Sequence, residues 1–397
     1  MGTTEHATAA SPPTTGERRV RSPTAARPAK PRGLTTKQWL SHQLADACGR
    51  FAVTIPLPLG YWLVDRAGDL FYRFASGYRA NMIDNLRHVR GPDATLEELR
   101  ALARRAFRYS ARNFYDLTRL RYLSMEQIAG QVRVIGSWAP VEEAIAQGKG
   151  AIFLTAHIGA FDFAGQMIPH HGYPAILMTV RTVAEFIHEG VTYLRASKGF
   201  DLEEATPGGL RRLMRALRQG RTIGLATDRD FLRNGTPIRF FGEETTLPIG
   251  TVRLALETGA LVVPVICRRH RLHQTFLIEE PFYVVRTGPK GGNIDADVRR
   301  GLERVVDVLE HHIRADPAQW VMFQRVWPTT PPPVVAVFPV GSPLEGRILG
   351  GEASSRAAAP LTGGIEGGRS KVGGDRAKVE GGVAPVEPAV PTTPPER

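Results

Sequence analysis

The sequence predicts an α/β fold in which a mixed, mostly parallel sheet is flanked by helices and follows an N-terminal helical hairpin. Three observations lead to this prediction. Apolar residues recur at helical spacing as far as about residue 130, short β-branched runs then alternate with helix-like stretches, and both termini have compositions typical of disorder. Strands separated by helices are typical of a sheet with helices on its faces.

Composition divides the 397 residues into three zones, two tails and an ordered core. Residues 1–34 are predicted to be a disordered basic tail, with six Lys or Arg against two Glu. Residues 329–397 are predicted to be a disordered Gly/Pro-rich tail, in which seven basic residues balance seven acidic ones. Between the tails, a helical region over 35–130 and an α/β core over 131–328 are expected to form one domain.

The helical region carries many aromatic side chains beside its apolar stripe. Leu40, Leu44 and Phe51 recur at helical spacing, and a second amphipathic helix is predicted over 97–122. The aromatic residues of the first part are Trp39, Tyr61, Trp62, Phe71, Tyr72 and Tyr78. Because Trp and Tyr favour the headgroup layer, these residues are consistent with an interfacial membrane anchor. They are equally consistent with a hairpin that packs on the main domain.

Four apolar runs are predicted strands, and a helix is predicted to close the core. The first run is followed by a helix-like stretch to about His170, and Pro264 in the third indicates an edge strand or a bulge. The strands and the closing helix are expected at 151–156, 221–227, 260–266, 274–278 and 295–314. Ligands of such sheets bind at the carboxyl ends of strands, which directs attention to the loops 157–162 and 228–230.

The charge balance indicates an anionic partner. The chain has 51 basic and 39 acidic residues, a formal charge of +12, of which about +8 belongs to residues 35–328. No apolar run reaches the roughly 20 residues of a membrane span, and the N-terminus lacks the apolar core of a secretory signal. We therefore expect a protein at the cytoplasmic face of the plasma membrane, bound peripherally or inserted shallowly. Nucleic acid is the less favoured partner, because no zinc-finger, helix-turn-helix or RNA-binding motif is found.

The two cysteines, Cys48 and Cys267, are too few for a disulfide framework or a zinc site. No metal-ligand spacing surrounds them, and we expect no metal. Both are expected to be small buried apolar side chains.

A histidine followed five residues later by an aspartate occurs three times, at His88/Asp93, His157/Asp162 and His311/Asp316. The first pair spans a Gly-Pro turn, and the last closes a surface-like helix. Only His157 leaves an apolar strand and enters a helix through a glycine, Gly159. We therefore expect His157 to be the functional histidine.

This placement suits a general base. The positive end of a helix dipole favours the neutral imidazole, and Asp162 is predicted to accept the other ring N–H and stabilise the imidazolium. No Gly-x-Ser-x-Gly elbow is found, and the segment 155–165 contains no serine or cysteine. The natural nucleophile is then a substrate hydroxyl that attacks a bound acyl donor directly.

A basic amphipathic helix is predicted within 208–220. Leu210, Leu213, Met214 and Leu217 form one stripe, and four arginines lie elsewhere on the helix. We expect this helix to face the core with a solvated basic side, and contact with anionic lipid is the alternative.

Several blocks of the chain resemble the bacterial lipid A biosynthesis (lauroyl/myristoyl) acyltransferase family, within the lysophospholipid acyltransferases. The resemblance covers about 36–328 and is nearest to the branch that acylates phosphatidylinositol mannosides. The matching blocks, in order, are Thr155–Gly165 (TAHIGAFDFAG), Ala226–Asp230 (ATDRD), Phe240–Gly242 (FFG), Leu247–Gly250 (LPIG) and Thr258–Val265 (TGALVVPV). One departure is the segment 178–181, which lacks the acidic residue expected in the mannoside branch, so the acceptor stays open.

The resemblance implies an enzyme in which His157 is the base and Asp162 its partner. The acyl donor would be a thioester of coenzyme A or acyl carrier protein, the acceptor a hydroxyl of a glycolipid or phospholipid, and no bound cofactor is expected. The residues expected to bind substrate are Asp228, Arg229, Asp230, Arg239, Phe240, Gly242 and Pro248. Asp228 is equally suited to a turn or an N-cap, and the two arginines to a headgroup phosphate, a developing oxyanion or solvent. We expect a monomer on an anionic membrane.

Three alternatives stay open: a lysophospholipid acyltransferase of phospholipid synthesis, a hydrolase, and a membrane-binding module without activity. A hydrolase that uses His157 would need an activated water and usually a metal or a protein nucleophile, and the sequence reveals neither. A fold does not guarantee activity, so the third alternative rests on assay alone.

Overall fold

A computed structural model describes residues 35–180, 185–231, 235–288 and 293–327. The predicted tails at 1–34 and 329–397 lie outside the described residues. Within the described residues, the predicted α/β class is confirmed, with a mixed and mostly parallel sheet that follows a group of helices.

The first part of the chain is helical, as predicted, but it forms more than a hairpin. Its helices are α1 (Thr36–Thr54), α2 (Leu57–Phe74), α3 (Ser76–Arg90), α4 (Leu96–Leu120) and α5 (Met125–Ala129). Thr35 and Gln38 form a capping box at the start of α1, and Thr95 caps α4. Each cap satisfies an amide that the first helical turn leaves without a partner.

Two glycines allow α2 to lie directly against α4. A Cβ at Gly60 would come within 2.1 Å of the Tyr115 hydroxyl, and one at Gly68 within 2.9 Å of the Arg108 Cα. Since side chains at these positions would force the helices apart, the glycines fix the close approach. The same contact brings Tyr61 of α2 into the interior.

The main sheet has seven strands in the order β1-β9-β8-β2-β5-β3-β4. Its strands are β1 (Val132–Ile135), β2 (Ala151–Thr155), β3 (Ala175–Thr179), β4 (Asp201–Glu204), β5 (Thr222–Ala226), β8 (Leu261–His270) and β9 (His273–Ile278). The strands β8, β2, β5, β3 and β4 are mutually parallel, while β9 and β1 run the other way. The carboxyl ends of β2 and β5 therefore meet at the same edge.

The position of Pro264 differs from the prediction, because β8 is an interior strand rather than an edge strand. It pairs with β2 up to Pro264 and with β9 from Val265 onward. A proline lacks the amide that a ladder requires. It is accommodated here because Pro264 lies where the first ladder ends and the second begins.

A separate hairpin of β6 (Thr236–Phe240) and β7 (Glu243–Leu247) lies outside the main sheet. Its turn consists of Phe241 and Gly242, with φ of 53° and 82°. Positive φ at both central residues is the signature of a type I′ turn, whose twist matches that of the strands. The FFG block is thus explained by hairpin geometry.

The remaining helices cover both faces of the sheet. They are α6 (Ala139–Ala146), α7 (Phe161–Ala164), α8 (Met167–His170), α9 (Glu185–Arg195), α10 (Pro207–Arg218), α11 (Gly250–Thr258) and α12 (Asp295–Ala315). Alternation along β2 divides the core, because Ile152 and Leu154 belong to one apolar cluster and Phe153 to another. In α10, Leu213 and Leu217 are buried in the first of these clusters, so the core-facing orientation predicted for this helix is confirmed.

Helices α1 and α2 expose many large apolar side chains, hereafter the apolar patch. Phe74 is 72% exposed, Phe51 69% and Trp62 55%. The patch consists of Trp39, Leu40, Leu44, Phe51, Leu59, Trp62, Leu63, Leu70, Phe71 and Phe74. No helix within the described ranges is both long enough and apolar enough to cross a bilayer.

Candidate active site

The parallel pairing of β2 with β5 brings two distant loops together. Thr155 of β2 lies opposite Ala226 of β5, and the backbone then leaves the sheet at the same edge after each of these strands. Two residues beyond each strand end, His157 meets Asp228. The main-chain N–H of His157 donates to Asp228 Oδ2 at 2.8 Å, and its ring Nδ1 lies 2.9 Å from Oδ1.

Asp228 is fully buried, and its charge is stabilised by hydrogen bonds. The indole N–H of Trp320 donates to Oδ2 at 2.9 Å. Burial alone would raise the pKa of Asp228, but the charge and hydrogen bonds of His157, with the indole of Trp320, outweigh it and hold this pKa below its ordinary value. An ionised Asp228 can only accept, so Nδ1 of His157 carries a proton, and in the neutral form of the ring Nε2 is the acceptor.

Asp162 does not pair with His157, and the predicted contact is wrong. Its carboxylate receives two hydrogen bonds from Arg195 of α9, at 2.7 Å and 2.9 Å. The predicted dipole contribution has little basis either, because the helix after His157 begins only at Phe161 and has four residues. The buried carboxylate of Asp228 occupies the place predicted for Asp162. A part for Asp162 in catalysis stays a prediction.

His157 and Asp162 nevertheless line the same cavity, of about 120 Å³, on one face of the sheet. Most of its other walls are apolar. They are formed by Phe153, Phe161, Ile168, Leu177, Met178, Phe200, Leu225, Val265, Cys267 and Phe276, with Gly165, Gly224 and Ala226 as the small residues. Outside the lining, Trp138 stacks on Phe276 and meets the edge of Phe153. The cavity thus places the His157 ring and the Asp162–Arg195 ion pair in a largely apolar lining, and Asp228 lies behind His157 outside that lining.

The cavity contains no activated protein nucleophile among the described residues. Cys267 is buried, and burial with the nearby charge of Asp162 raises the pKa of its thiol to about 12. A thiol in that state is inert, since the thiolate is the reactive form. The Thr155 hydroxyl donates to the carbonyl of Ala156 at 3.3 Å. Cys48, by contrast, is exposed, which corrects the prediction that both cysteines are buried.

The other residues predicted to bind substrate fall into two groups. Arg229 and Asp230 follow Asp228: Asp230 accepts from the amide of Gly235 at 2.8 Å, and Arg229 lies over the Phe231 ring. Burial lowers the pKa of Arg229 to about 10, against the attraction of Asp228, so it stays charged at neutral pH.

The second group lies around the hairpin and is not among the residues that line the cavity. Arg239 is exposed on β6, and Gly242 lies in the turn. Phe240 is fully buried between Trp320 and Trp327. Pro248 joins β7 to α11 and is partly buried. Their part in substrate binding stays a prediction.

The two other His/Asp spacings occur away from this cavity. His88 is buried, stacks on Trp327 and lies with Nδ1 2.8 Å from Glu243. His311 is exposed on α12. Across the described ranges, no group of three or more His, Cys, Asp or Glu is arranged to hold a metal.

Sequence reasoning missed two residues of the site, Trp320 and Arg195. Trp320 reaches Asp228 because the strand-like segment around it pairs with the loop that carries His157. The Gly159 amide donates to the Gln319 carbonyl at 3.0 Å, and the Val321 amide to the His157 carbonyl at 3.0 Å. No local spacing indicates such a contact across more than 90 residues.

The chain is similar to characterised proteins over most of this region. A model of bacterial lipid A biosynthesis acyltransferases matches residues 27–329. Phosphatidylinositol mannoside acyltransferases of two Mycobacterium tuberculosis strains (CDC 1551 / Oshkosh and ATCC 25618 / H37Rv) are each 31% identical over 227 residues, 54% of this chain and 67% of theirs. The enzyme of that name from Mycolicibacterium smegmatis is 29% identical over 264 residues, 64% of this chain and 82% of its own. The chain therefore belongs to the bacterial lipid A biosynthesis acyltransferase family, and it is an acyltransferase.

Proposed function

We propose that the protein transfers a fatty acyl group from a thioester donor to a lipid hydroxyl, with His157 as general base. The observation that carries this proposal is that His157, paired with the buried Asp228, lines a largely apolar cavity. Asp228 holds Nδ1 protonated, so that Nε2 can take a proton. A phosphatidylinositol mannoside-like acceptor is favoured over a lipid A-like one by the names of the relatives.

The reaction follows from this protonation state. The acceptor hydroxyl gives its proton to Nε2 while its oxygen attacks the thioester carbonyl carbon. The tetrahedral intermediate collapses with loss of the thiolate, which takes the proton back from the imidazolium. Asp228 stabilises that imidazolium without itself being protonated. The inert Cys267 thiol supports direct transfer rather than an acyl-enzyme.

The remaining charged groups suggest how polar parts of the substrates are held. Arg229 is partly buried, stays charged and is the residue next to Asp228. It suits an anionic headgroup of the acceptor or a phosphate of the donor. The donor is expected to be acyl-CoA or acyl carrier protein, as a co-substrate rather than a bound cofactor.

An acyl-transfer assay tests the proposal. Labelled palmitoyl-CoA and palmitoyl-acyl carrier protein are each incubated with a phosphatidylinositol mannoside, a lysophospholipid and a lipid A precursor. Labelled product with at least one acceptor, and no label on the protein after incubation with the donor alone, is expected. Release of free fatty acid alone would favour the hydrolase, and no turnover of any donor would favour the binding module.

The interior of the cavity is proposed to hold the acyl chain, and Gly224 makes room for it. A Cβ at Gly224 would come within 2.5 Å of the Leu177 side chain. Gly224→Val should therefore push the Leu177 side chain, which also lines the cavity, into the proposed acyl space and lower kcat/KM for a palmitoyl donor by about tenfold, equivalent to 1.4 kcal/mol. An octanoyl donor, which does not reach as deep, should lose less than about twofold on the same scale.

Ile223→Val is the matched control, because Ile223 is the preceding residue of β5 and belongs to the apolar cluster on the opposite face. It should leave the chain-length profile unchanged. Equal losses for long and short donors in Gly224→Val would argue that the cavity does not hold the chain.

We also propose that the protein docks on an anionic membrane through the apolar patch. The exposure of Trp62 and Phe74 supports the interfacial interpretation of α1 and α2 over the buried hairpin. Lys37 and Arg73 are exposed on the same two helices and suit anionic headgroups. Peripheral binding at the cytoplasmic face is therefore favoured.

Replacing Trp62 and Phe74 together by Ser should weaken vesicle binding at least tenfold, because a fully buried large apolar side chain contributes about 1.5–3 kcal/mol. Sedimentation with phosphatidylglycerol-containing vesicles measures this, and residual binding should fall with salt, since charges are screened over about 10 Å at 0.1 M. Leu272→Ser, at an exposed apolar residue outside the patch, should bind as the wild type does. Unchanged sedimentation of the double variant would rule out the patch as the docking surface.

A further inference from the structure

A buried ion pair joins the helical region to the sheet beside the active site. Arg269 of β8 lies 2.7 Å from Asp116 of α4, and the two side chains are 0% and 1% exposed. The Tyr61 hydroxyl lies 3.0 Å from Asp116 Oδ2 and accepts from Arg269 Nη1 at 2.7 Å. Burial alone would lower the pKa of Arg269, but the charge of Asp116 outweighs it and raises that pKa. The pair is therefore charged in the interior.

Burying such a pair is seldom the most stable solution, because the desolvation of two ions offsets most of their attraction. Apolar residues of similar volume often serve stability equally well. Stability alone therefore does not account for the buried pair, and its role is better sought in the geometry that the two charges impose.

One arm of the network leads from Arg269 to the catalytic loop. Arg269 Nη2 donates to Asn113 Oδ1 at 2.8 Å, and Asn113 Nδ2 donates to the Gly159 carbonyl at 2.6 Å. Gly159 follows His157 by two residues and has a φ of 59°, and a Cβ there would approach the Cys267 carbonyl to 2.2 Å. The loop thus lies against β8 at a position that only glycine can occupy, and the Gly159 carbonyl points at Asn113.

The second arm leads from Arg269 to the segment that carries Trp320. The Arg269 amide donates to Gln319 Oε1 at 2.7 Å, and Gln319 Nε2 donates back to the Arg269 carbonyl at 3.0 Å. The next residue, Trp320, donates to Asp228. Both arms therefore converge on the two sides of the His157–Asp228 pair, one through the loop of the histidine and one through the partner of the aspartate.

We propose that Asn113 and Arg269, held by Asp116 and Tyr61, are positioning residues that set the geometry of His157 and Asp228. The proposal rests on the proposed function, in which that pair is the catalytic base. Tyr61 lies on α2 beside Trp62 of the apolar patch, so the network also ties the lipid-facing helix to the base. None of the four touches the cavity, and each acts through the loop or through Trp320.

A purely architectural role is the alternative, in which the network only fastens α4 to the sheet. The two roles differ in their effect on His157: only a positioning role requires that loss of the network changes the geometry of its ring. The decisive variant is Asn113→Leu, which has the same number and branching of side-chain heavy atoms and keeps the Asp116–Arg269 pair but cannot donate a hydrogen bond to the Gly159 carbonyl. Its matched control is Asp69→Asn, which breaks the ion pairs of α2 with Arg104 and Arg108 and touches neither the loop nor Trp320.

Two measurements are made on the full chain. In the first, kcat, KM for the acyl donor, the pH profile of kcat and the melting temperature are compared. Asn113→Leu should lower kcat by about ten- to a hundredfold, within the range of a misplaced catalytic group, and displace the acid limb of the profile, with KM within about twofold. Asp69→Asn should lower the melting temperature and leave kcat and the profile as in the wild type.

In the second, proton NMR follows the ring proton that His157 shares with Asp228, and needs no substrate. This signal should be lost or move upfield in Asn113→Leu and stay in place in Asp69→Asn. An unchanged signal and kcat in Asn113→Leu would overturn the proposal. If the wild type transfers no acyl group, the proposed function fails while the NMR comparison still decides the positioning. Should Asn113→Leu not fold, Tyr61→Phe, which removes one hydroxyl from the network, should give a smaller shift of the same signal, and no shift would overturn the proposal.

Discussion

His157→Ala is expected to reduce acyl transfer by about 10²–10⁴ while the melting temperature stays within a few degrees, because a positioned general base contributes that much to the rate. The side chain is partly exposed at the mouth of the cavity, so its removal leaves little void in the core. Turnover per folded molecule, with labelled donor and acceptor, measures the effect.

His311→Ala is the proper control for this variant, since His311 has the same spacing to an aspartate but is exposed on α12. It should retain full activity. His88→Ala should also retain turnover per folded molecule. Because it removes a buried ring that stacks on Trp327, this variant should unfold at a lower temperature. Comparable loss of turnover in His157→Ala and His311→Ala would refute the assignment.

Asp228→Asn is expected to reduce turnover by about 10³–10⁴, more than any substitution of Asp162. The amide cannot stabilise an imidazolium, and it can donate to Nδ1, which would place the proton of the neutral ring on Nε2 and abolish the base. Its shape still allows the hydrogen bond from Trp320. Activity per folded molecule and thermal unfolding, measured together, separate the chemical from the structural effect.

Asp162→Asn provides the contrast. It breaks the two-fold hydrogen bonding with Arg195, so its first effect should be on stability, with kcat per folded molecule less affected than in Asp228→Asn. A larger loss of kcat in Asp162→Asn than in Asp228→Asn would restore Asp162 as the partner of the base.

The native pKa of Asp228 lies below its ordinary value of 3.8. The stability that the ionised Asp228 contributes is therefore present above pH 3.8 and is lost as the pH falls through the lowered pKa.

The sequence predicted most of what depends on local pattern. The strands around 151–156 and 221–227 and the helix at 295–314 are confirmed within a residue or two, because periodicity and strand composition are local properties. β1, β3 and β4 were missed: each has only four or five residues, and β1 and β4 have largely exposed or partly exposed side chains that give no apolar run.

The candidate site was predicted in part. Both loops at the carboxyl edge of the sheet were identified, and Asp228 was among the residues expected there. Its contact with His157 depends on the order of the strands, and nothing in the spacing of residues reveals that β2 and β5 are neighbours. The nearer aspartate was therefore chosen. The Asp116–Arg269 pair was out of reach for the same reason, since it joins residues more than 150 positions apart.

The late position of Trp320 in the chain has a consequence for synthesis. Translation delivers β2, β5 and His157 long before the residue that completes the environment of Asp228. A nascent chain that has formed the sheet still lacks the indole bond and the pairing of the loop with 319–321. The proposed base is thus expected to reach its working geometry only when the last part of the described chain has left the ribosome, so that incomplete products would carry the cavity without a completed site.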